Sequence, residues 1–318
     1  MQVGKSVGPA VASQCAEAVL MVRPKHFGYN AETAQTNLFQ HAGGSEHTAA
    51  QAQAEFDAFV MALSAEGIAV CVAADSDEPR NPDAVFPNNW VSFHADGTVV
   101  LYPMQAASRR TERRPEVIDA VVQQTGFQVR RTLDLTHHEK EGRFLEGTGS
   151  LVLDHVERVA YACRSPRTHE TVAREWAEKM GYDLEMFSAT DQRGAPIYHT
   201  NVVMSIGTRF AVLARDNVDP MDRGRLVNRL GAGRELLAID DAEMQAFAGN
   251  VLELGSWDEY LGDMRILVMS ATAQHVLHAR KYARLYASVD AVLGVPVDII
   301  ERHGGGSVRC MLAEVFLR

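Results

Sequence analysis

An α/β chain closed into a ring is the fold class this sequence predicts, and three observations carry the prediction. Short apolar runs alternate with helical segments along most of the chain. An order of hairpin, helix and strand recurs from near Trp90, Leu151, Val202 and Val251, with a spacing of roughly 50 to 60 residues. An apolar run at 311–317 can pair with the run at 17–22, which completes a fifth unit and leaves no free first or last strand.

Residues 17–22 (EAVLMV) are continuously apolar after the first and stop at Arg23-Pro24, the pattern of a buried strand. Residues 46–66 predict a helix, with Ala49, Ala52, Phe56, Phe59, Val60 and Leu63 on one face and Gly67 as the stop. Residues 68–73 are the strand after it. Asp96-Gly97 between 90–93 and 99–102 is a hairpin signal. A helix over 112–125 ends at Gly126, and a strand over 127–133 follows. The next unit pairs 151–154 with 159–163, then runs through a helix over 168–180 ended by Gly181 and a strand over 182–187. Residues 202–206 and 210–214 pair around Gly207, before a helix over 222–230 and a strand over 236–239. Strands at 251–254 and 266–269, a helix over 273–286 and strands at 295–300 and 311–317 finish the chain. Residues 1–15, small and aperiodic, predict a loose tail, and 16–318 a single domain.

Composition narrows the function. With 318 residues, 46% hydrophobic and 23% charged, the chain has the make-up of a globular protein with a large core. A net charge of −10 argues against nucleic acid or an anionic membrane as partner. The four cysteines, Cys15, Cys71, Cys163 and Cys310, form no CxxC pair. That speaks against a disulfide framework and a cysteine-based zinc site, and suits a reducing cytoplasm. No secretory leader and no membrane-length apolar run is visible, so a cytoplasmic location is expected.

The chemically suggestive residues share one phase of the repeat. Asn89 precedes the strand at Trp90, Glu146 the strand at Leu151, His199 the strand at Val202, Asn250 the strand at Val251, and Arg309-Cys310 the run at Met311. In a ring, equivalent positions converge on the axis, so these residues should meet at one mouth. A nucleophile, a base and a carboxylate brought together from distant segments suit covalent catalysis. Singly, each has an ordinary structural reading. Glu146 before Gly-Thr-Gly suits a turn, His199 a satisfied core histidine, and Asn88-Asn89 backbone capping. Arg109 fits a solvated pair with Arg110, and Arg167 the entry to a Thr-capped helix. Gly304-Gly305-Gly306 predicts a flexible approach to Cys310, and the neighbouring Arg309 gives the thiol a reason to ionise.

With these motifs in place, the chain resembles the guanidine-modifying enzymes of the pentein superfamily, in the amidinotransferase and arginine deiminase group. It is most similar to the bacterial CtlX-type citrulline-utilisation branch. Leu145-Glu146-Gly147-Thr148-Gly149 resembles the family's acid-Gly-Gly-Asp, and Gly304 to Cys310 its glycine-rich nucleophile loop. The resemblance implies a five-bladed pseudo-symmetric α/β propeller and a hydrolase of guanidino C–N bonds. It implies Cys310 as nucleophile, His199 as acid/base and Glu146 as the catalytic carboxylate. Asp83, Asn89 and Asn201 would bind the substrate's guanidinium end, and Arg109 and Arg167 its α-carboxylate. No metal or cofactor is implied. The partner would be a small guanidino or ureido amino acid, with a homo-oligomer left open. The roles of Asn250, Arg302 and Arg309 are left unassigned.

Two positions depart from the deiminase pattern: Asn89 and Asn201 stand where Asp is frequent. Gly-Thr-Gly also replaces Gly-Gly-Asp. Loss of charge weakens the hold on a guanidinium, and an Asn amide can donate to a ureido carbonyl where a carboxylate cannot. Conversion of arginine to citrulline and ammonia is the reaction expected. A dihydrolase carrying citrulline on to ornithine, an amidinotransferase and a non-catalytic pentein-fold binding module remain alternatives.

Overall fold

The computed structural model describes residues 13–44 and 47–317. The expected tail at 1–15 therefore falls mostly outside the described residues, as does Glu46 at the start of the first expected helix. In chain order the elements are β1 (Ala18–Arg23), α1 (Thr48–Ala65), β2 (Ala69–Ala74), β3 (Val91–Phe93), β4 (Thr98–Leu101), α2 (Pro115–Thr125) and β5 (Arg131–Asp134). They continue with α3 (Gly147–Ser150), β6 (Leu151–Asp154), β7 (Val159–Cys163), α4 (Glu170–Met180), β8 (Asp183–Phe187), α5 (Thr200–Val203), β9 (Met204–Ile206), β10 (Phe210–Leu213), α6 (Pro220–Leu230) and β11 (Glu235–Ala238). The last are α7 (Asp241–Gln245), β12 (Leu252–Asp258), β13 (Gly262–Ser270), α8 (Ala271–Val276), α9 (Ala279–Tyr286), β14 (Ala291–Val295), α10 (Asp298–Gly304) and β15 (Ala313–Val315).

The chain is α/β, and one strand pattern recurs. An antiparallel pair is followed by a helix and then by a strand parallel to the second member of the pair. It occurs as β3-β4-β5, β6-β7-β8, β9-β10-β11 and β12-β13-β14. The ends of the chain make the same group: β15 pairs antiparallel with β1 in the register Ala18↔Val315, and β1 runs parallel to β2. A single pairing, Val315↔Phe93, joins this group to β3, so the described strands form one six-stranded and three three-stranded sheets.

Local chemistry explains most boundaries. Pro115 opens α2, and Gly126 closes it with φ +75. Gly181 closes α4 in the same left-handed conformation. Asp219 caps Met221 N–H at the start of α6. Asp240 and Glu243 form a reciprocal capping box on α7. Apolar faces bury Phe56, Phe59 and Leu63 of α1 and Trp176 of α4 in separate core clusters. Among the described residues, no helix is long and apolar enough to cross a membrane.

Several boundaries differ from expectation. The strand expected at 127–133 is β5, four residues on, because Phe127 turns inward and packs edge-on against Phe93 at 5.4 Å. The helix expected over 273–286 is two helices, α8 and α9, with His278 capping the second. The strand expected at 295–300 is β14, and residues 298–304 are α10 instead. The Glu55 carboxylate of α1 accepts from Ile299 N at 2.9 Å and Ile300 N at 3.1 Å, satisfying donors that a helix start leaves open.

Candidate active site

The residues expected to converge do so through short turns at the start of each hairpin. A turn at Pro87–Asn89 precedes β3, α3 precedes β6, α5 precedes β9, and a turn at Val308–Met311 precedes β15. These turns lie close enough to require glycine. Gly147 has φ +47, and a Cβ there would sit 2.1 Å from the Asn88 carbonyl oxygen. Gly149 faces Asn89 and the His199 ring, where a Cβ would come within 2.6 Å.

The glycine run before the cysteine forms the end of a helix and its cap. Gly304 ends α10, and Gly305 closes it with φ +63. A Cβ on Gly304 would meet the Phe86 ring at 2.7 Å. The Gly305 carbonyl accepts from Tyr198 Oη at 2.6 Å and Asn37 Nδ2 at 3.0 Å, which pins the loop from two sides.

Cys310, His199, Asn89, Asp83, Arg109 and Arg167 line one cavity with Thr33, Asn37, Phe86, Tyr198 and Gly304 to Gly306. Its volume is about 20 Å³, room for roughly one water. Glu146 stands behind it. Its carboxylate takes His199 Nε2 at 2.9 Å, Arg167 Nη1 at 3.4 Å and the Gln105 backbone N–H at 3.0 Å. Asn201 and Asn250 flank the Cys310 sulfur, with Nδ2 atoms at 3.5 Å and 3.4 Å.

The electrostatics describe a resting state of neutral reactants. Burial lowers His199 to about 4 despite the opposing pull of Glu146. Burial would raise the Glu146 carboxyl, but Arg167 and His199 outweigh it and hold it at about 2. Burial raises the Cys310 thiol, with the Asn250 amide and a Ser307 backbone hydrogen bond among the smaller opposing effects. The Arg309 charge favours the thiolate, as expected, but burial outweighs it, and its guanidinium is bonded to the Leu312 carbonyl at 2.9 Å and the Glu314 carboxylate at 2.8 Å.

The two arginines expected to hold a carboxylate have most donors engaged by the protein. Arg109 grips Glu112 through Nε and Nη2, both at 2.9 Å, donates to Asn89 Oδ1 at 2.7 Å and to the Phe86 carbonyl at 3.2 Å, and lies 3.9 Å from Asp83. Arg167 donates to the Thr33 carbonyl at 2.7 Å and to Thr36 Oγ1 at 2.8 Å, besides Glu146. Asp83 accepts from Asn30 Nδ2 at 2.7 Å and Thr33 Oγ1 at 3.2 Å. Thr33, Asn37 and Tyr198 were not foreseen. Nothing in the loop after Pro24 marks Thr33 or Asn37, because their place in the cavity depends on contacts with distant segments, such as Asn37 with Gly305. A group with metal-ligand spacing, His137, His138 and Glu175, lies outside this cavity.

Against known proteins, a family model described as N,N-dimethylarginine dimethylhydrolase, eukaryotic, matches residues 23–317, nearly the whole chain. The chain belongs to this family. It belongs thereby to the pentein superfamily. No curated protein matches the sequence. Among solved structures, the cyanobacterial arginine dihydrolase ArgZ superposes with a TM-score of 0.73 at 16% identity, covering 95% of this chain and 41% of that one. This chain thus spans about two fifths of that protein. The N-terminal domain of ArgZ alone, in a Cys-to-Ser variant bound to substrate, gives 0.72 at 16% identity, covering 94% of this chain and 98% of that one. The Pseudomonas aeruginosa dimethylargininase, a Cys-to-Ser variant complexed with citrulline, gives 0.66 at 18% identity over 94% and 99% of the two chains. At these identities the similarity speaks to the fold alone.

Proposed function

We propose that this family member hydrolyses the guanidino group of arginine or a close derivative, with Cys310 as nucleophile. The observation that carries the reading is the buried thiol sharing one cavity with Asp83 and with His199, which Glu146 backs at 2.9 Å. The guanidinium enters between Asp83 and Glu146, with Asn89 and Asn201 helping to hold it, while Arg109 and Arg167 face the α-carboxylate. The incoming cation favours ionisation of the thiol, whose proton passes to His199. Glu146 stabilises the resulting imidazolium at 2.9 Å. Sulfur attacks the guanidinium carbon, and the imidazolium protonates the departing ammonia. His199 then takes a proton from the attacking water, and the S-alkylthiouronium resolves to citrulline and free thiol. The five strand groups are read as the blades of a single ring over 16–318, in the cytoplasm.

A second reading continues from citrulline to ornithine. It is supported by Asn89 and Asn201, whose carboxamides suit a neutral ureido group, and by the fold shared with ArgZ. Product analysis separates the two. Purified protein is supplied in turn with arginine, methylated arginine, agmatine, succinylarginine and citrulline, and ammonia, citrulline and ornithine are followed. Ammonia and citrulline from arginine support the first reading, and ornithine from citrulline the second. A Cys310→Ser variant that keeps the full rate would overturn both.

A further inference from the structure

Asn250 is held against the nucleophile by a specially built turn. Asn250 N–H donates to the Phe247 carbonyl at 2.8 Å, and Phe247 adopts φ +60, rare for a residue with a side chain. Gly249 lies so close to α5 that a Cβ would stand 2.4 Å from the Val202 carbonyl oxygen. The result is a fully buried carboxamide whose Nδ2 lies 3.4 Å from Cys310 Sγ. The same nitrogen donates to the Asn201 carbonyl oxygen at 3.0 Å, and that oxygen can only accept. The Asn250 amide therefore lies side-on to the sulfur, with Nδ2 at 3.4 Å and Oδ1 at 3.7 Å. Asn201 presents its own Nδ2 at 3.5 Å.

We infer that Asn250, together with Asn201, forms a neutral cradle that stabilises the Cys310 thiolate during the reaction. A carboxamide suits both states of the sulfur. The Oδ1 atoms, at 3.7 Å and 3.9 Å, can accept from the S–H, and the Nδ2 atoms can donate to S⁻. Deprotonation therefore needs no rearrangement of the cradle. A Ser307 backbone hydrogen bond and the Arg309 charge favour the thiolate as well, behind the Asn250 amide, and the remaining neighbours are engaged elsewhere. His199 is engaged with Glu146, and Tyr198 Oη with the Gly305 carbonyl. Arg109 and Arg167 are tied to Glu112, Glu146 and Thr33, and Asp83 carries the opposite sign.

This assignment rests on the proposed nucleophilic role of Cys310, but its test needs no turnover. The rate of Cys310 alkylation by iodoacetamide is followed from about pH 6 to 10 by peptide mass analysis, with Cys310→Ser as blank. Asn250→Asp keeps the shape of the side chain and removes the donor. Asn250→Ala removes the whole amide, and circular dichroism checks that each variant is folded. At a fixed pH near neutrality, alkylation of Asn250→Asp should slow by roughly tenfold or more, with the profile displaced to higher pH. Asn250→Ala should show a smaller displacement in the same direction. An unchanged pH profile in folded Asn250→Asp overturns the assignment. A displaced profile in a protein that hydrolyses none of the guanidino compounds leaves the cradle standing and removes the proposed reaction.

Discussion

Glu146 shows how one buried side chain organises the site. It is fully buried, yet it stays ionised because His199, Arg167 and a backbone N–H converge on it. Glu146→Gln keeps the shape and removes the charge. It leaves Arg167 buried without its carboxylate, which costs about 3 kcal/mol of stability. It also leaves the His199 imidazolium without a counter-charge. If the proposed reaction holds, kcat for arginine should fall by about 100-fold or more, while a urea melt shows a protein that is destabilised but folded. An unchanged kcat would remove Glu146 from the acid/base pair. Glu146, His199 and Cys310 were legible in the sequence because each precedes a hairpin at the same phase of the repeat. The state of the thiol was not legible. Adjacency to Arg309 suggested an activating cation, and its charge does favour the thiolate, but burial of the sulfur outweighs it and raises the thiol.

At the scale of elements, the site depends on how closely short turns pack. The Pro87–Asn89 turn and α3 touch where Gly147 has φ +47 and no room for a Cβ. Gly147→Ala combines a disfavoured backbone conformation with a clash against the Asn88 carbonyl, neither of which can relax cheaply. It should lower unfolding stability by about 2–4 kcal/mol, read as a shift in urea midpoint, and displace Glu146 from His199. A variant with wild-type stability would show that the two turns separate without cost. Glycines at helix ends and Asp96-Gly97 were good punctuation, so the hairpins and α1, α2, α4 and α6 were readable. The helix α10 was not. Its residues look like a continuation of an apolar strand, and the carboxylate that opens it, Glu55, comes from a helix far away in sequence.

Across the whole molecule, stability should carry the mark of buried neutral imidazoles. His94 lies outside the cavity, where burial lowers it to about 4 against the opposing effect of Asp96, with Arg158 and Arg131 adding to the lowering. Its ring nitrogen is hydrogen-bonded to Ser92 Oγ at 2.8 Å. Between about pH 4 and 6.5 the unfolded chain binds more protons at this residue than the folded one. Its contribution is therefore complete above about pH 6.5 and is lost as pH falls towards 4. Replacing His94 by Gln removes that dependence. The difference in unfolding free energy between wild type and His94→Gln should change by about 1.4 kcal/mol per pH unit across the window, measured by urea titration at several pH values. A constant difference would show that His94 is free to protonate in the folded state.

The sequence by itself determined the order of hairpins, helices and strands, the pairing of the chain ends and the phase at which polar residues gather. Those features follow from local periodicity and turn chemistry, which neighbouring residues dictate. Only the tertiary structure decided that Gly304 to Gly306 end and cap a helix, and that the 26–41 loop lines the cavity through Thr33 and Asn37. Each depends on contacts between segments far apart in sequence, where a carbonyl, a ring face or a carboxylate from another turn sets the conformation. Such partners leave no trace in the local pattern, because what selects them is proximity after folding.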